Sequence, residues 1–142
     1  KLYIIGWNKK EFFNVYKNNR SNQIYNDKRI VFLGKLYGKE KKHIFSITDI
    51  FIFPSFYQTE AQPLVLIEAI MSKQVLIISN FKMLKDFRIF PSVKYIEDIK
   101  SWDEIKSLIS NRFLLEKSKK IALKKFSSKK FEIKLFRTLS YF

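Results

Sequence analysis

The sequence predicts an α/β fold: a parallel sheet of short strands flanked by helices and followed by a helical tail. Three observations carry this. Short apolar runs recur along the 142 residues, each of strand length and most of them closed by Gly, Pro or Ser. The runs are almost continuously apolar and do not alternate, which suits strands covered on both faces, as in parallel sheets. Helix-length mixed segments separate them, and such strand–helix alternation marks right-handed crossover units.

Taken in order, the predicted strands are "KLYIIG" (1–6), "RIVFLG" (29–34), "DIFIFP" (49–54) and "QVLIIS" (74–79), with "SVKYI" (92–96) as a less apolar fifth. Helices are predicted over 8–19, 39–47, 63–72 and 81–87, and the polar stretch "KNNRSNQIYNDK" (17–28) reads as a surface loop. From Ser101 onward the pattern is helical only. Ser101 followed by Glu104 is a capping box, and Trp102, Ile105, Leu108 and Ile109 then share one helix face. "RFLLEKSKKIALKKF" and "SSKKFEIKLFRTLSYF" continue as basic amphipathic helices. No Gly/Ser/Pro-rich linker and no internal repeat interrupts the chain, so 1–142 reads as one domain, with sheet to about residue 100 and helical tail over 101–142.

Composition narrows the function. With 46% hydrophobic and 29% charged residues, a globular core is expected and disorder is excluded. No apolar run reaches the ~18 residues of a membrane span. Cysteine is absent, which removes disulfides and thiolate metal sites and fits a reducing cytosol; with His43 as the one histidine, a zinc site is not expected. The net charge of +15 favours anionic partners, although a chain rich in Lys, Asn, Ile and Phe also fits plain compositional bias. A basic helical face beside Phe131, Phe136 and Phe142 is suited to an anionic membrane surface, on the inner face of which a cytosolic protein would sit. Nucleic acid is not an expected partner, because most aromatic residues fall on core positions of strands and helices.

Within "PSFYQTEAQPLVLIEAIMSKQVLIIS" (54–79) two carboxylates, Glu60 and Glu68, stand with seven residues between them. Ligands of open parallel sheets gather beyond the carboxyl ends of the strands, where helix N-termini point. A helix starting at Pro63, a residue suited to the first helical position, leaves the amides of Leu64 and Val65 at a positively polarised end that favours an anion such as a diphosphate. Glu68 follows four residues after Leu64, on the same face and roughly 6 Å along the axis. Because "PLVLIEAIM" is otherwise apolar all round, it reads as a buried helix, in which a carboxylate needs a partner. The two hydroxyls of a ribose would serve; so would a lysine, or an outlet to solvent.

The block "IFIFPSFYQTEAQPLVLIEAIMSKQVLIIS" resembles the donor-binding core of the family 4 retaining glycosyltransferases of GT-B fold: apolar strand, Pro-Ser, short loop, Glu, seven residues, Glu-Ala, second apolar strand. The upstream "KLYIIG…RIVFLGKLYGKEKKHIFSITDIFIFPS" is similar to the same family, as is Phe126-Ser127 before the final helix, so the resemblance covers almost the whole chain. It implies a Rossmann-like domain, the C-terminal half of a GT-B enzyme, binding a UDP- or GDP-linked hexose for transfer to a polysaccharide or glycolipid. It implies that Glu60 faces the donor sugar at the reacting centre and that Glu68 binds the nucleotide ribose. Ala61, Gln62, Leu64 and Val65 would line the sugar and diphosphate. No metal cofactor is implied, since helix ends and basic side chains take up the leaving-group charge.

The chain also departs from that pattern. It begins at what resembles the family's second strand, so the N-terminal acceptor domain and the first strand–helix unit, with its phosphate-binding Arg and Lys, are expected to be absent or supplied by another chain. "GKLYGK" (34–39) loosely resembles that basic loop, and Gly34 is a candidate nucleotide-sugar residue, but its place directly before "SITDIFIFPS" fits a later loop. "EAQP" lacks the glycine common after the first Glu, Lys73 and Gln74 stand where Gly and Pro are usual, and "SNFKMLKDF" (79–87) replaces a segment with a Gly pair and an acid. The fragment alone is therefore expected to bind donor weakly. The rival expectation is a non-catalytic basic module for a membrane surface or partner subunit.

Overall fold

A computed structural model describes residues 1–15, 21–56 and 63–127. Among these residues are the strands β1 (Leu2–Ile5), β2 (Ile30–Gly34), β3 (Ile50–Phe53), β4 (Val75–Ile78) and β5 (Val93–Tyr95). Six α-helices accompany them: α1 (Lys9–Val15), α2 (Ser21–Asn26), α3 (Gly38–Ile47), α4 (Leu64–Met71), α5 (Trp102–Ser110) and α6 (Arg112–Lys125). All five predicted strands are present. Every strand pair is parallel: β1 with β2, and β4 between β3 and β5. The architecture is α/β and Rossmann-like, with parallel strands flanked by helices.

The chain divides into two compact units, Lys1–Ile44 and Phe45–Phe142. In the first, β1 and β2 run in parallel from Leu2 opposite Ile30, with a register shift between Ile4 and Ile5 where Ile5 meets Gly34. Gly34 has φ +65, the left-handed turn that ends the strand and that glycine adopts freely. Helix α1 opens on a complete capping box: the Glu11 amide donates to Asn8 Oδ1 (2.9 Å) and the Asn8 amide to Glu11 Oε2 (3.0 Å). Its apolar side meets the sheet through aromatic rings, Phe12 and Phe13 lying 5.3 and 5.7 Å from Phe32. Tyr25 packs on Phe13 at 4.9 Å. The residues around Tyr25 were expected to form a loop, but Ser21–Asn26 is a helix. A polar run with no apolar period became helical because ring contacts at one position hold it in place.

In the second unit β4 is buried along its whole length. One face of the sheet packs in a cluster of Phe45, Leu66, Ala69, Ile70, Leu76, Ile78, Leu84, Phe87, Phe90, Tyr95 and Ala122. The other face holds Val75 and Ile77 against Ile105, Leu108 and Leu115 of α5 and α6. The helices of the tail thus complete the sheet's covering. The segment predicted as a helix over 81–87 is a 3-10 helix, Lys82–Ile89. Tyr95 donates to the carbonyls of Leu84 and Lys85 at 3.1 Å, fastening that segment to β5. Burial pushes the Tyr95 hydroxyl's pKa up, opposed by the nearby Arg88.

Helix α5 begins as predicted, with Ser101 Oγ accepting from the Glu104 amide at 3.3 Å. The return half of the box is redirected: Glu104 accepts from the Lys100 amide (3.4 Å) and pairs with Lys94 of β5, which holds its carboxyl below the usual range. Ile105 and Leu108 are buried as expected, but Trp102, expected on the same face, is 56% exposed. The turn from α4 to β4 places Lys73 at φ +63, where a glycine would sit without steric cost, and its ammonium pairs with Glu116 of α6. Gln74 is buried; its Nε2 donates to the Thr48 carbonyl (3.2 Å) and hydroxyl, while its Oε1 has no hydrogen-bond partner among the described residues.

Candidate functional site

Because β3, β4 and β5 are parallel and in register, Phe53, Ile78 and Tyr95 align and their following loops emerge at one edge. That edge is tied together by polar contacts. Ser79 Oγ donates to the Ser55 carbonyl, joining the loops after β4 and β3. The Asn80 amide donates to both carboxylate oxygens of Glu97 (3.2 and 3.4 Å), joining the loops after β4 and β5. Phe56 and Phe81 pack ring to ring at 5.8 Å over the same junction. None of these residues was singled out from sequence. A serine ending an apolar run reads only as a strand stop, and Glu97 lies 17 positions from the amide it accepts, so neither contact leaves a local signal.

Helix α4 follows the β3 loop. Pro63 lies one position earlier than predicted: it is the N-cap, with φ −72 and ψ 111, and the first helical residue is Leu64. Among the described residues no side-chain hydrogen bond caps this helix start. The expectation that α4 is buried all round is corrected. Leu66, Ala69 and Ile70 face the core, but Leu64 is 73% exposed and Glu68 is exposed with it. The spacing of four residues puts both on the outward face. A single apolar residue on a surface is ordinary, so a run of apolar letters overstated the burial of the helix. Exposed to solvent, Glu68 does not carry the desolvation penalty of a buried carboxylate.

The predicted site residues therefore separate into three groups. Leu64, Val65 and Glu68 share α4, Val65 being partly buried against the core and the other two facing outward. Glu60, Ala61 and Gln62 lie outside the described residues, as do Phe131, Phe136 and Phe142. Gly34 belongs to the first unit, where its amide donates to the Trp7 carbonyl (3.2 Å) and its carbonyl accepts from the Gly6 amide (2.7 Å). Beyond Gly34 lies an open depression of about 610 Å³, lined by Leu33, Leu36, Ile44, Lys35, Lys39 and His43 among others.

Among the described residues no group of three or more His, Cys, Asp or Glu side chains is arranged to hold a metal ion. Among them, too, no helix is long and apolar enough to cross a membrane. Parallel strands ending at one tied edge, with a helix starting beyond it, define the class: a Rossmann-like α/β protein. Within that class, the chain belongs to the glycosyl transferases group 1 family, whose model matches residues 1–130. No curated protein and no solved structure gives a match to it. Family membership supports a role in glycosyl transfer.

Proposed function

We propose that this chain is the donor-binding half of a GT-B glycosyltransferase of the retaining, family 4 type, taking a UDP- or GDP-linked hexose toward a polysaccharide or glycolipid acceptor. The observation that carries the reading is Glu68: a carboxylate on the outward face of α4, one turn in from a helix start whose N-cap residue, Pro63, provides no side-chain cap. A diphosphate suits such a start, because its amides and the helix dipole favour negative charge. A ribose one turn further along offers two hydroxyls, and a carboxylate accepts from both. The reading gives Glu60 the place beside the sugar, with Ala61, Gln62, Leu64 and Val65 presenting backbone to the sugar diphosphate. No metal cofactor is required, since the helix start takes up charge developing on the leaving diphosphate. An acceptor-binding domain, on the same or another chain, completes the enzyme in this reading.

Titration calorimetry of the 142-residue chain with UDP and with GDP tests it. One nucleotide is expected to bind, and Glu68→Ala to weaken binding by about 10-fold or more, the worth of a charged hydrogen bond. Because Glu68 is exposed, circular dichroism should be unchanged in the variant. Equal binding by parent and variant removes the ribose role, and absence of binding to both nucleotides removes the donor site.

A further inference from the structure

Helix α6 presents an outward face that the donor site does not use. Along its 14 residues, Leu115, Ser118 and Ala122 turn inward, while Arg112, Phe113, Lys117, Lys120, Leu123 and Lys124 are exposed. These six lie on one side of the helix, at the spacings of three, four and seven that bring residues into register. Phe113 is 73% exposed near one end and Leu123 52% exposed near the other, with the cations between and beside them. The one carboxylate of α6, Glu116, is paired with Lys73 of the α4–β4 turn, so the face keeps its positive charge. Phe113 and Leu123 thus stand exposed on the same face as the cations. Their combination matches an interface where apolar groups enter the headgroup layer and ammonium groups meet lipid phosphates.

We infer that the outward face of α6 docks on an anionic lipid bilayer, with Phe113 and Leu123 entering the headgroup region and Arg112, Lys117, Lys120 and Lys124 contacting the phosphates. The four cations and the absence of an unpaired acid on the helix supply the charge complementarity. Each basic residue held at an anionic surface strengthens attachment by about fivefold, and the effect fades with salt. The face shares no residue with the proposed donor site on α4, so the two readings are tested by different variants.

The test is sedimentation of the intact chain with vesicles of phosphatidylglycerol and phosphatidylcholine, against vesicles of phosphatidylcholine alone. Binding is expected only to the anionic vesicles, and Lys117→Gln/Lys120→Gln/Lys124→Gln should weaken it by roughly 100-fold with the circular dichroism spectrum retained. Phe113→Trp should show, beyond the change seen in the parent with its own Trp7 and Trp102, an added blue-shifted emission on the anionic vesicles, a readout that simple charge attraction in solution does not produce. No binding to anionic vesicles overturns the inference, as does equal binding by the triple variant. Tighter, lysine-dependent binding to a DNA or RNA oligonucleotide than to vesicles overturns it in favour of nucleic acid.

Discussion

The two units of the chain are built from the same parts and held in different ways. In Lys1–Ile44 no described residue is fully buried; β1 and β2 are partly covered, and order comes from the strand ladder, the ring contacts of Phe12, Phe13, Tyr25 and Phe32, and the Asn8–Glu11 cap. In Phe45–Phe142, β4 is buried on both faces and two clusters of side chains close over it. Apolar runs of similar length and composition thus occupy different environments. Burial depends on what surrounds a strand, and an isolated strand's residues carry no record of its neighbours.

The sharpest way to break this comparison is to make the same truncation in both units. Ile78→Ala in β4 is expected to cost about 2–5 kcal/mol, a transfer term plus a cavity term, whereas Ile30→Ala in the half-covered β2 should cost only about 1 kcal/mol. Urea unfolding of the two variants measures the difference, and equal losses would show that β2 is packed as closely as β4. Next in size, Asn8→Ala removes the cap of α1 and should cost about 1 kcal/mol. In a unit with no fully buried residue among those described, that loss should speed hydrogen exchange throughout α1 and leave β4 unchanged.

Of similar size is Tyr95→Phe, which keeps the ring and deletes two hydrogen bonds to the Leu84 and Lys85 carbonyls, for a cost of about 1 kcal/mol. Its sign with pH follows from burial. The folded state holds the phenol proton more tightly than the unfolded chain, so this stabilisation is complete below about pH 10 and declines as pH rises beyond it. An absorbance titration of the parent should show one tyrosine ionising late, and the variant should lack it. The smallest expected effect is at Asp27, whose carboxyl is held down at about 2 by hydrogen bonds from Arg29. Its contribution to the first unit is present above the ordinary value of 3.8 and is lost as pH falls through about 2. Carboxyl NMR shifts should follow that midpoint, and Arg29→Gln should return it toward the ordinary value.

Much of the fold was legible because strands leave dense local signals. All five appear as compact apolar runs, and the capping serine of α5 stands where its spacing to Glu104 placed it. Helix α2 was not legible, since it is held by Tyr25 against a ring twelve positions away in α1. Of the candidate site, the shared helix face of Leu64 and Glu68 was legible from their spacing, but their environment was misjudged. Apolar letters on every side of Glu68 suggested enclosure, while burial is decided by the sheet and by α6, to which the local run gives no clue. The links among Ser55, Ser79, Asn80 and Glu97 were invisible for the same reason.

Lys73 illustrates how a joint can serve two masters. Its backbone sits in a conformation that disfavours side chains by about 1–2 kcal/mol, yet its ammonium reaches across to Glu116 and anchors a neighbouring helix. A glycine there would relax the turn and release that anchor at once, so the two changes oppose each other. The loop between α4 and β4 is therefore a place where exchange of residue type alters the tether between elements far more than the net stability of the fold.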